Sequence, residues 1–88
     1  MKKYKDYGAI IWIDTDEASG SITVDFEFAM NLHIDDILRF YNDEGERAPW
    51  IESIEIEGNV DEINTAEFQI MKKFFDADNL AIFTAQID

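Results

Sequence analysis

The stretch 64-NTAEFQIMKKFF-75 decides the fold, because the arrangement of its neighbours depends on whether it coils or extends. Asn64 followed by Glu67 has the form of a capping box, and Ile63 stands from Phe68 at the spacing of a hydrophobic staple. Phe68, Met71 and Phe75, flanked by Ile70 and Phe74, make a broad apolar face at helical spacing, with Gln69, Lys72, Lys73 and Asp76 on the wet side. The spacing predicts a helix that starts at Asn64 and is broken by Asp76-Ala77-Asp78-Asn79. Leu80 to Ile87 then reads as a final strand, apolar on both faces near Ile82 and Phe83.

Working upstream, Ile22, Val24, Phe26, Phe28 and Met30 alternate with Thr23, Asp25, Glu27 and Ala29, which predicts a strand over 21–31. Gly8 to Ile13 is apolar on both faces, and the polar link Asp14 to Gly20 joins the two as an antiparallel hairpin. Ile34, Ile37, Leu38 and Tyr41 follow the stripe of an amphipathic helix, with Asn31 as N-cap, Asp35 and Asp36 near its positive end and Asp35 four residues before Arg39. Asn42 to Pro49 is a polar loop. Residues 50–57 form a strand with Ile54 and Ile56 inward and Ser53, Glu55 and Glu57 outward, after which Gly58-Asn59 either turns a tight hairpin back through Val60 to Ile63 or, the favoured reading, leads into the second helix. The order ββαβαβ gives an α+β fold: one domain over 1–88 with a mainly antiparallel four-stranded sheet and two helices packed on one face. Such a sheet leaves Ile10 and Trp12 without cover. A homodimer through these two residues, a loop or the N-terminal segment would supply it.

Composition narrows the function. The 88 residues are 47% hydrophobic, enough for a folded domain, yet they carry 20 Asp and Glu against 7 Lys and Arg, a net charge of -13. All the acids except Asp76, Asp78 and Asp88 fall within residues 6–71, where Arg39 and Arg47 are the only Lys or Arg. The excess therefore belongs to the body of the fold. A domain this acidic repels nucleic acid, membrane surfaces and anionic substrates and attracts basic proteins. With no cysteine, no apolar run near the roughly 18 residues of a membrane span and no signal-peptide core after Met1, the sequence predicts a soluble cytoplasmic protein.

No constellation of reactive residues stands out. Asp14-Thr15-Asp16 invites comparison with a calcium loop, but counting from Asp14 puts Ala18, Ser19 and Asp25 where that loop needs an oxygen ligand, Gly and Glu. His33 is the only histidine, and neither Cys nor a recognisable nucleophilic Ser accompanies it. Carboxylate pairs of the kind used on glycosides arise by chance among so many acids, and the four glycines form no phosphate-binding motif. The expectation is a non-enzymatic protein without metal or cofactor. Its one distinctive surface is acidic: Asp25 and Glu27 on the second strand, Glu55 and Glu57 on the third, and Asp35, Asp36, Asp43, Glu44 and Glu46 along the first helix and its following loop. Adjacent second and third strands would bring four of these carboxylates onto one outer face. Trp50 or Tyr41 would serve as an aromatic anchor for the partner, the alternative being that both lie in the core.

By size and charge the chain resembles the broad group of small DNA-mimic proteins, which includes many phage anti-CRISPR and anti-restriction proteins, and also the immunity proteins that block basic nuclease toxins. The resemblance rests on composition and not on a motif. It implies an inhibitor that occupies the basic nucleic-acid-binding surface of a partner protein without itself binding nucleic acid. The competing expectation is an assembly subunit that associates through Ile10 and Trp12, its charge serving only solubility, for which a net charge of about 2 to 8 suffices.

Overall fold

Alternation along the first two segments builds the middle of a sheet. The computed structural model describes residues 8–87, and in it β1 (Gly8–Asp14) and β2 (Ala18–Val24) pair as the antiparallel hairpin expected. Thr15 closes their turn: its hydroxyl donates to the Ala18 carbonyl and accepts from the Glu17 and Ala18 amides. After β2 come a short helix α1 (Phe26–Met30), a two-residue strand β3 (Ile37–Leu38), β4 (Ile51–Gly58), a 3-10 turn at Val60–Ile63, β5 (Glu67–Phe75) and β6 (Asn79–Ile87). The strands form one six-stranded sheet in the order β3-β5-β6-β1-β2-β4, in which β1 and β6 run parallel and every other pair antiparallel.

This corrects the four-stranded antiparallel sheet with two helices on one face: the sheet is mixed, curled and six-stranded, and α1 is the one α-helix among the described residues. The error at 64–75 has a local cause. The register between β5 and β6 shifts between Ile70 and Lys72, so Met71 is a bulge residue. Before the bulge Phe68 and Ile70 face the core; after it Lys73 pairs with Ile82 and Phe75 with Leu80, while Lys72 and Phe74 take the outer side. One inserted residue thus turns a period of two into a spacing that mimics a helix. The cap signal was also displaced, since Asn64 ends the 3-10 turn and Asn59 caps it by accepting from the Asp61 amide.

The segment 21–31 divides at Asp25. Its carboxylate accepts from the Phe28 amide at 2.9 Å and starts α1, so the alternation of Phe26, Phe28 and Met30 falls on a helix and not on a continued strand. Asn31, expected as an N-cap, is the C-cap of this helix. The helix expected over 34–41 does not form. Asp35 adopts a positive φ of 77°, a left-handed conformation that ends helical geometry, and its amide donates to the Ile70 carbonyl while Ile70 donates back to Asp36. The chain is thereby tied to the edge of β5. Ile34 and Ile37 lie exposed, whereas Leu38 and Phe40 are buried.

The core fills the inner side of the sheet. Ile11, Ile22, Ile82 and Ile70 are fully buried on four strands, and Phe40 packs on Phe68 at 5.2 Å and on Trp50 at 5.9 Å between ring centroids. Phe28 stacks on Trp50 at 4.2 Å, which lays α1 against this aromatic group. Lys73 completes the attachment. Its ammonium donates to the carbonyls of Met30 and Leu32, at the end of α1 and in the turn beyond.

Candidate functional site

The acidic residues occupy three places. Glu55 and Glu57 stand on the outer side of β4, an edge strand, opposite Ser21 and Ser19 of β2. Asp25 and Glu27 are not beside them: both lie beyond the end of β2, one capping α1 and the other in its first turn. The expected row of four carboxylates on one sheet face is therefore a row of two. Asp43, Glu44 and Glu46 share a tight hairpin organised by Asn42, whose side-chain oxygen accepts from the Glu44 and Glu46 amides. Asp35 and Asp36 belong to the turn before β3.

Several of these groups are already engaged. Arg39 binds Asp43 at 3.0 Å, Asp36 accepts from the His33 amide at 2.8 Å, Asp35 accepts from Gln69, and Glu46 accepts from Asn42. The His33 ring is exposed, 3.9 Å from the Asp36 carboxylate. Glu27, Glu44, Glu55 and Glu57 form no ion pair among the described residues and lie in water. The two aromatic anchors are less free than expected, since Tyr41 and Trp50 are half-buried against the core.

Sequence reasoning missed a further surface feature, the row of aromatic rings on the outer face of the sheet. Register places Lys72, Phe83, Trp12, Ser21 and Glu55 side by side on five neighbouring strands, β5, β6, β1, β2 and β4. Trp12 and Phe83 lie nearly parallel, 16° apart with centroids at 6.4 Å, and Phe74 continues the series 5.8 Å from Phe83 at 9°. The Lys72 ammonium sits 5.1 Å from the centre of the Phe74 ring. Trp12, Phe83 and Phe74 remain 42%, 39% and 38% exposed, so the rings pack on one another and still meet water. Of the pair expected to lack cover, Trp12 is exposed and Ile10 is half-buried. Phe74 and Phe83 were not expected on this face, because the bulge that turns Phe74 outward has no sequence signature of its own.

Electrostatic perturbations lie elsewhere. Glu17, in the first hairpin turn, is raised above the usual glutamate range, chiefly by sharing a hydrogen bond with Glu62 and by the Glu62 charge. Asp76 is held below its usual range by the amides of Asp78 and Asn79, which it accepts at 2.8 and 2.7 Å. Burial pushes Lys73 down, with Asp36 opposing. None of these groups belongs to a constellation of nucleophile, base and acid. Among the described residues no cluster of three or more His, Cys, Asp or Glu is placed to hold a metal ion, and no helix is long and apolar enough to cross a membrane.

Comparison with models of known families, with curated proteins and with solved structures gives no match.

Proposed function

We propose that this protein is a non-enzymatic acidic binding protein that occupies the basic nucleic-acid-binding surface of a partner protein, in the manner of a DNA mimic. The observation that supports it is the pair Glu55 and Glu57, set at alternate positions on an edge strand with hydroxyl-bearing serines as cross-strand neighbours where cations would neutralise them. Glu27 and Glu44 add further unpaired charge, and the net charge of -13 supplies a long-range field. Such a surface gives fast, salt-sensitive association with a basic partner. Phage anti-CRISPR and anti-restriction inhibitors, and immunity proteins of basic nucleases, are the classes in which this arrangement serves as function. The absence of cysteine suits a reducing compartment, and we place the protein in the cytoplasm.

The test is displacement of a labelled DNA duplex from a panel of basic nucleases. The expected result is displacement at low salt that fades as salt rises, weakened by the E55Q/E57Q variant. Failure to displace DNA from any member at low salt would end this reading. Self-association through the sheet is the second reading, favoured by the exposure of Trp12. It requires an oligomer that persists at all salt concentrations and has no affinity for basic proteins.

A further inference from the structure

We infer that the outer face of the sheet is a docking platform for arginine side chains of an extended basic segment. This rests on the acidic-binding reading above and gives it a contact surface. The aromatic series Phe74, Phe83 and Trp12 already holds one cation, the Lys72 ammonium over Phe74. Phe83 and Trp12 receive no cation from within the described residues, and each keeps about two-fifths of its surface in water. An aromatic ring attracts a cation through its quadrupole, and the planar, weakly hydrated guanidinium is the protein cation best suited to lie on it.

Spacing and charge both favour such an occupant. Alternate side chains of an extended segment recur every ~6.8 Å, close to the centroid separations of 6.4 Å from Trp12 to Phe83 and 5.8 Å from Phe83 to Phe74. Beyond Trp12 the same row continues through Ser21 to Glu55, two strand spacings or about 10 Å away, with Glu57 two residues further along β4. A segment lying across the strands would thus set its cations first on rings and then on carboxylates. Exposed aromatics on a sheet also stack nucleic-acid bases, but here Glu55, Glu57 and the overall charge of -13 oppose phosphate. A second copy would bring the same excess charge against itself.

The experiment titrates the full chain with acetylated hexa-arginine and hexa-lysine peptides at low salt, by calorimetry and by amide shift mapping. Hexa-arginine is expected to bind about two-fold or more tighter than hexa-lysine, because each ring attracts either cation but holds the planar, weakly hydrated guanidinium better, with shifts at Trp12, Phe83, Ser21 and Glu55. The W12S/F83S variant should bind both peptides more weakly than the original chain and without preference between them, whereas E55Q/E57Q should weaken both and leave the preference for arginine in place. Shift mapping on the unaltered chain keeps the test decisive if W12S/F83S fails to fold. Equal affinity for the two peptides, or shifts confined to other faces, overturns this inference and leaves the acidic reading standing. Binding of neither peptide overturns both. A dimer by sedimentation that W12S/F83S dissociates shows a second copy on the face and overturns the platform.

Discussion

Replacing Lys73 by Met should loosen α1 and destabilise the whole domain. A five-residue helix cannot persist through its own hydrogen bonds, and its last carbonyls lack partners within it. No basic residue stands in its final turn, so the cation that suits this negative end comes from β5, more than forty residues away in sequence. Methionine keeps much of the aliphatic stem and removes the donor from two bonds, at 2.7 Å to Leu32 and 3.0 Å to Met30. Hydrogen bonds to charged groups contribute about 1.5–3 kcal/mol each when sheltered, and partial exposure at this site lowers the combined loss to about 2 kcal/mol. For a domain of this size that is a fall of about 10 °C in Tm. Urea unfolding followed by circular dichroism measures the stability, and hydrogen exchange at the Asn31 and Leu32 amides reports on the helix end. Lys72→Met, which removes the neighbouring cation from the outer face, should cost less than about 1 kcal/mol. Equal effects of the two substitutions, or unchanged protection of Asn31 and Leu32 in Lys73→Met, would refute the reasoning.

Two further substitutions probe the sheet and the charge. A Cβ at Gly20 would strike the backbone carbonyl of Glu55 across the β2–β4 ladder, so Gly20→Ala should cost about 1–3 kcal/mol in urea unfolding. Gly45→Ala, at φ 79° with open space around it, incurs only about 1 kcal/mol of backbone strain; finding Gly20→Ala the milder change would contradict the close approach. Glu17 has a raised pKa, so its contribution to stability is fully present below the ordinary glutamate value and is lost as pH rises through the raised one. Glu17→Gln should accordingly raise Tm at pH 7 and give no gain below about pH 4, and a gain that persisted in acid would show that repulsion from Glu62 is not its source.

The parts of the fold legible in the sequence are those where alternation runs unbroken and a turn residue marks the end. The strand ending at Gly58 satisfies both conditions, while Gly8 to Asp14 and the strand after Asn79 were legible instead as short runs apolar on both faces and bounded by turn residues. Asp25 shows why the next element escaped: the same aspartate serves as an outward strand residue or as a helix cap, and the cap is favoured by tertiary contacts, those of Phe28 with Trp50 and of Lys73 with the end of the helix. The β5 segment escaped because its bulge counterfeits a helical period, while its true status comes from β6, a strand apolar on both faces that needs a neighbour on each side. Tertiary pairing overrides local spacing there. The acidic surface was legible as composition but not as geometry, since charge carries no record of which strand face it will occupy. The aromatic row was invisible for a related reason: Trp12 lies far in sequence from Phe74 and Phe83, and the three meet through the parallel β1–β6 pairing and the shifted β5 register.

That parallel pairing also sets the order in which the molecule can assemble. The β1–β2 hairpin closes over a handful of residues, but the other edge of β1 must wait for β6, and Trp12 meets Phe83 across nearly the whole chain. Long loops of this kind slow the search for the native state, and until it ends Ile10, Ile11, Trp12 and Ile13 present an unpaired, apolar strand edge of the sort that nucleates intermolecular sheets. Mutual repulsion among chains of charge -13 acts during that interval, before any partner is met. Neutralising surface carboxylates should therefore lower the yield of refolding at high protein concentration more than it lowers the stability of the finished fold.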